Sequence, residues 1–328
     1  MADIEPTEAI GEGQTSRSSN FFQRLIREKK LGAFGAAITL VLLLTGIFAD
    51  VIAPYGMNET YAGEALLEPS SEFLFGTDNV GRDVFSRVIY GARVSVIVGL
   101  SGAILSTLGS LLIGVTSGYL GGRLDMLLQR GVDMWIALPG LVVLMIIVTI
   151  VGSGMFPMII ILSLFFALPG SRIIRGAVIA VKENAFIQAS KAIGCKPSRI
   201  ILRHIVPSIL PTAIVLFTIR VPGVILSEAG LSFLGFGLAP PTPSWGGMIS
   251  GSGRTYMFEA PWMVFWPGLA LAVVVYGINM FGDALRDLVD PRLRGGLGRY
   301  GTHRSKKKDD DGKDQELEAP RRAATGAD

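Results

Sequence analysis

MWIALPGLVVLMIIVTIVGSGMFPMIIILSLFFALPGS, residues 134–171, contains no charged side chain. A helix needs about 20 predominantly apolar residues to cross roughly 30 Å of hydrocarbon, so this run is about twice the length of one span. Near its middle, Gly152-Ser153-Gly154-Met155-Phe156-Pro157 supplies the turn chemistry that breaks it into a helical hairpin. The second arm is expected to continue past the lipid boundary, with Arg172 and Arg175 snorkelling towards a polar surface. Two spans in one stretch decide the class of fold: an all-α, polytopic membrane bundle.

Further apolar runs lie on both sides. Residues 94–120 are uncharged and carry Ser101, Gly102, Ser106, Gly109, Ser110 and Gly114. Such small residues let helix backbones approach closely, so this helix is expected among others. Residues 31–53 follow Arg24, Arg27, Lys29 and Lys30. A cleavable signal has the same polarity but an apolar core of only about 7–15 residues, which favours a retained helix. Residues 204–233 and 260–282 give a fifth and a sixth span, separated by a Pro- and Gly-rich loop over 235–261. Residues 54–93 hold Asp78, Arg82, Asp83, Arg87 and Arg93, too polar for lipid. Val84, Val88 and Ile89 recur there near helical spacing and predict a short amphipathic helix against the bundle or the interface.

Composition agrees with six spans. Half of the 328 residues are hydrophobic and 17% are charged, against about a quarter charged in soluble chains. The net charge of +3 sits between apolar blocks and in the tails, which argues for orientation in a membrane and against nucleic acid. The N-terminus, Arg123, Arg130, residues 172–203, Arg286, Arg292, Arg294 and Arg299 share one side. The other side holds chiefly Arg82, Arg87, Arg93 and Arg254, so the positive-inside rule makes both termini cytoplasmic. Residues 1–20 and 295–328 are too polar to bury a core and are expected to be disordered tails. The run from Lys306 to Asp311 reads as part of a solvated tail. Between the tails, residues 21–93 form an N-terminal region and residues 94–294 a transmembrane domain.

The chemistry that the sequence lacks is equally informative. No G-x-x-x-x-G-K-[ST] loop is present, so ATP, if it drives the protein, is hydrolysed by another subunit. No H-E-x-x-H helix, G-x-S-x-G elbow or mid-membrane carboxylate pair points to an enzyme. Cys195, His204 and His303 make a poor metal set, and no cofactor is expected. Within residues 182–207, Phe186, Ala189 and Ile193 recur at i, i+3 and i+7 and predict a short amphipathic helix. Gly194 suits the left-handed position that ends a helix, and Pro197 can start the next one. An apolar face across the end of a bundle requires a partner: lipid headgroups, its own bundle or another protein.

The run Phe186-Ile187-Gln188-Ala189-Ser190-Lys191-Ala192-Ile193-Gly194, followed by Arg203-His204-Ile205-Val206-Pro207, resembles the E-A-A loop of ABC importer permeases. Gln188 stands where that family usually has Glu, Ser190 where it has Ala, and Val206 where it often has Leu. Three further blocks resemble the C-type permease of dipeptide and oligopeptide importers: Gly76-Thr77-Asp78-Asn79-Val80-Gly81-Arg82-Asp83, Ser232-Phe233-Leu234-Gly235-Phe236-Gly237 with Pro240-Pro241-Thr242-Pro243-Ser244-Trp245-Gly246, and Gly282-Asp283-Ala284-Leu285-Arg286-Asp287. The resemblance spans residues 22–294. It implies a type I permease fold without its own ATPase site, in a bacterial or archaeal cytoplasmic membrane. It also implies a homologous second permease, two cytoplasmic ATP-binding subunits and an external substrate-binding protein. Phe186, Gln188, Ala189, Ser190, Gly194 and Pro207 would then form the ATPase-coupling interface. Related permeases import nickel, glutathione or opines, and a self-powered secondary transporter is the reading from a different class.

Arg220 and Glu228 lie inside the fifth apolar segment. A charge at a helix centre costs on the order of 3 kcal/mol on insertion scales, so each is expected to face protein or water. A place on the translocation path or its gate and an interhelical polar contact both remain open. Eight residues apart, they stand about 80° apart around the helix and roughly 12 Å along it, so no ion pair between them is expected.

Overall fold

The computed structural model describes residues 25–289. The expected tails, 1–20 and 295–328, lie outside the described residues. The described chain is helical, in the order α1 Lys30–Ile47, α2 Ala49–Ile52, α3 Val84–Leu120, α4 Gly122–Ile136, α5 Gly140–Val151, α6 Met155–Lys182, α7 Ala185–Ala192, α8 Pro197–Ile200, α9 Val206–Phe233, α10 Trp245–Ile249, α11 Gly251–Thr255 and α12 Trp262–Val289. A π-helical turn, Ile201–Ile205, joins α8 to α9. Five stretches are long and apolar enough to span a membrane, or six if the bent pair α4 and α5 counts as one.

The most extensive contact joins α3 to α6, and small residues make it possible. A Cβ on Gly109 would stand 2.9 Å from the Ala167 Cβ, and one on Gly114 2.6 Å from the Ser171 carbonyl oxygen. The Ser110 hydroxyl donates to the Ala167 carbonyl at 2.8 Å. On its other side α3 meets α9, where a Cβ on Gly99 would stand 2.7 Å from Ile225. The small-residue pattern of residues 101–114 is therefore an interhelical seam, as its composition predicts.

Helix α12 packs antiparallel on α1, with Ala284 against Gly32 and Ile38 against Gly277, and Lys29 Nζ donates to Asp287 at 2.7 Å. Both ends of the described chain thus lie at the same end of the bundle. That end also holds the C-terminus of α3, where Lys182 Nζ donates to the Tyr119 carbonyl at 2.8 Å. Lys182 satisfies one of the acceptors that a helix leaves open in its last turn.

Two expectations need correction. The short amphipathic helix around Val84, Val88 and Ile89 is the beginning of α3, which runs unbroken through residue 93. Asp83 caps it, accepting from Ser86 N at 2.8 Å, and the helix starts where its backbone donors are first satisfied. The hairpin turn lies at Gly152–Gly154 as the sequence indicates, but its first arm is interrupted again. Pro139 disfavours helical geometry at the residue before it, and α4 meets α5 at 94°. The part before the bend is amphipathic and is held by charge. Arg175 binds Asp125 through two hydrogen bonds, of 2.7 and 2.6 Å, and Arg172 pairs with Asp133.

Helix α6 contains Pro169, which removes the donor that the Phe165 carbonyl would receive four residues earlier. Trp135 Nε1 donates to that carbonyl at 3.3 Å. An acceptor orphaned by proline is thereby satisfied from α4, as backbone groups in lipid must be.

The seam gives a direct test. Gly114→Ala is expected to lower stability by about 1–3 kcal/mol through overpacking. Gly131→Ala, whose Cβ would meet nothing within 4 Å, is expected to be neutral or to stabilise by up to about 1 kcal/mol. Thermal unfolding of both variants in detergent measures the difference.

Candidate functional site

Helix α7 lies at the end of the bundle where α3 and α6 finish, and one residue seats it. Ile187 is 0% exposed and joins a cluster with Val115, Ile174, Val178, Ile200, Ile205 and Ile209. The residues predicted to form the apolar face point away. Phe186 is 47% and Ile193 80% exposed, and Gln188 and Ala189 are exposed as well. Of the three partners that the sequence left open, the bundle takes only the opposite face.

The ends of α7 are built from local chemistry. Gly194 adopts φ +79°, the left-handed conformation that strains any residue with a Cβ. It donates to the Lys191 carbonyl at 3.0 Å, and Cys195 N donates to the Ser190 carbonyl at 3.1 Å. These two bonds form a Schellman motif, which fixes where the helix stops. At the start, Gln188 Nε2 donates to the Lys182 carbonyl at 3.0 Å and ties α7 to the last turn of α6. A carboxylate at this position has no proton to donate, so the amide that departs from the usual Glu makes a contact of its own. The Ser190 hydroxyl donates to the Phe186 carbonyl at 2.8 Å.

Pro207 sits at the beginning of α9, exposed, directly after the π-helical turn. Its ring would crowd the carbonyl four residues earlier, and the widened turn relieves that clash.

The charged pair is not brought together. Glu228 is 1% exposed and accepts from the Ser232 hydroxyl at 2.6 Å, with the Ser244 side chain beside it. Arg220 lies against α6, its Cζ 5.1 Å from the centre of the Phe166 ring.

At the opposite end, residues 54–83 and 235–261 form a cap. Trp245 Nε1 donates to the Val88 carbonyl at 3.0 Å and Trp262 Nε1 to the Thr77 carbonyl at 3.1 Å. Asp78 accepts from Arg82 Nε at 2.7 Å and stands 3.8 Å from Arg87. A cavity of about 160 Å³ lies between the two segments.

Residues 110–295 match the family described as binding-protein-dependent transport system inner membrane component. The chain belongs to this family. Among its relatives, the oligopeptide transport system permease protein OppC of Bacillus subtilis is 36% identical over 82% of this chain and 88% of its own length. The dipeptide transport system permease protein DppC of Alkalihalophilus pseudofirmus is 38% identical over 82% and 88%. The glutathione transport system permease protein GsiD of Escherichia coli is 36% identical over 84% and 90%. A solved structure of the MetNI methionine ABC transporter, in an inward-facing conformation, matches with a TM-score of 0.51 at 19% identity. It covers 62% of this chain and 96% of its own, and shows that the fold is shared. The chain is thus a multi-pass permease of the ABC importer type. Membership implies an ATP-hydrolysing partner and a substrate-binding partner.

Sequence reasoning missed Ile187 and Trp135. A single apolar residue leaves no periodicity, so Ile187 gave no signal. The need for a donor near Phe165 was legible from Pro169, but which side chain supplies it was not.

The seating of α7 predicts opposite results for adjacent faces. Ala189→Arg is expected to reach the membrane at the wild-type level. Ile187→Arg buries an unpaired charge, at about 3–5 kcal/mol, and is expected to be lost. Quantitative immunoblots of membranes, before and after detergent extraction, make the comparison.

Proposed function

We propose that this permease carries dipeptides and oligopeptides across the cytoplasmic membrane of a bacterium or archaeon as one of two homologous membrane subunits. It works with two cytoplasmic ATP-binding subunits and an external binding protein. The exposed apolar face of α7, on a chain without a P-loop, is the observation that carries this reading. Such a face marks a site for a protein or for lipid, and the partner that an importer without its own nucleotide site needs is an ATPase. Relatives named for dipeptide and oligopeptide transport support the cargo. The GsiD relatives, of similar identity, favour glutathione as a second reading, and it too is a small peptide.

In this account Phe186, Gln188, Ala189, Ser190 and Gly194 form the docking surface, and Pro207 fixes the direction in which α9 leaves it. Closure of the ATPase pair moves α7, and the bundle follows as packed helices that shift together. Arg220 lies on the path. Glu228, held to Ser232 beside Ser244, links α9 to the cap and acts at the outer gate. The division at residue 93 is one of roles, since α3 runs through it. Residues 21–93 give the first span and the outer segment, and residues 94–294 the translocation domain with its coupling loop, 182–207.

Two experiments test this. Ala189→Arg is expected to abolish co-purification of the ATP-binding subunits and ATP-dependent uptake in vesicles, and retention of both by the variant contradicts the docking role. For orientation, Phe258→Cys, at a residue 91% exposed, and Lys196→Cys are placed singly in a Cys195→Ser background. An impermeant thiol reagent applied outside is expected to label position 258 and not position 196. The reverse pattern overturns the topology.

A further inference from the structure

Arg220 lies near the middle of α9, where a charge in hydrocarbon costs most. Among the described residues it makes no ion pair and no hydrogen bond. Its surroundings are nevertheless shaped for it. Phe166 covers one face of the guanidinium, a favourable cation–π arrangement. Gly170 makes room for the edge, since a Cβ there would stand 2.6 Å from Nη2. Five N–H donors in a planar fork are thereby positioned and left without an acceptor.

The surface of α9 above Arg220 is open. Gly223, Ser227 and Gly230 follow at offsets of three, seven and ten, within about 80° of Arg220 around the helix, and each is partly exposed. A Cβ on Gly230 would meet nothing within 4 Å, and one on Gly223 only the Phe166 ring, at 3.6 Å. Beside this lane the helix turns bulky, with Ile219 48% and Leu226 54% exposed, a surface that suits lipid or a packed helix. A lane of small residues that leads to an unpaired guanidinium suits a polar solute.

We propose that Arg220 is a recognition point on the translocation path that takes the carboxylate of the passing substrate. In the peptide reading above, on which this inference rests, that group is the C-terminal carboxylate. The planar fork matches a carboxylate through two parallel hydrogen bonds, a geometry that Lys cannot reproduce. It is free to do so because, among the described residues, no carboxylate occupies it. A carboxylate side chain of the second permease is the other possible source of the same chemistry.

The test uses the assembled importer in proteoliposomes and compares ATP-dependent uptake of a tri-alanine peptide with that of its C-terminal amide. Wild type, Arg220→Gln and Arg220→Lys are measured with the same binding protein, whose own preference cancels when their ratios are compared. Arg220→Gln is expected to reduce the acid-to-amide uptake ratio by roughly tenfold, the scale of a lost charge-assisted hydrogen bond. Amide uptake is expected to fall by less than acid uptake, and Arg220→Lys to retain part of the ratio. Equal loss of both substrates in Arg220→Gln overturns the proposal. If the second permease is also recovered less well, the carboxylate belongs to that subunit. If recovery is unchanged, Arg220 only packs. A wild-type importer that takes up neither peptide instead overturns the peptide reading, and the inference with it.

Discussion

The close approach of α3 to α6 is the contact on which the other elements depend. In lipid the hydrophobic effect does not press helices together, so association rests on packing and on hydrogen bonds between them. The seam supplies both, through Gly109 and Gly114 and through the hydroxyl of Ser110 on the Ala167 carbonyl. It also fixes the geometry at either end. Below, Val115 of α3 with Ile174 and Val178 of α6 form the floor on which Ile187 seats α7. At mid-depth, Gly170 opens the space that Arg220 enters.

This arrangement gives the end of the bundle mechanical continuity. Lys182 joins α6 to the last turn of α3, Gln188 joins α7 to α6, and Asp125 with Arg175 clamps α4 across them. A displacement applied to α7 therefore meets a unit tied by directed bonds rather than a loose loop. Close-packed interiors shift between arrangements and do not deform continuously. The proline in α6 sits within this unit, and its orphaned carbonyl is held by Trp135, so a bend at that level engages α4 as well.

Much of this was legible in the sequence because membrane helices are written in long uncharged runs. The hairpin break at Gly152–Gly154, the seam residues of α3 and the left-handed Gly194 all follow from local rules of size and conformation. Three features were not legible. The first turns of α3 are polar enough to read as a separate amphipathic helix, because Asp83 is bonded to Ser86 within the first turn itself and Arg87 reaches the Met57 carbonyl and Asp78 of the cap. The bend at Pro139 lies inside an apolar run, where hydropathy carries no information about direction. The seating of α7 by Ile187 depends on residues far away in sequence, and one isoleucine has no period. For the site, the sequence supplied the face that is exposed, and only the structure supplied the residue that holds it.

The central claim is that the face opposite Ile187 belongs to an ATP-hydrolysing subunit. The most direct measurement places a photo-crosslinking amino acid at position 193, which is 80% exposed in the isolated chain, and irradiates the assembled importer in its native membrane. The account predicts a covalent adduct between this permease and the ATP-binding subunit. Adducts confined to lipid or to the second permease would contradict it.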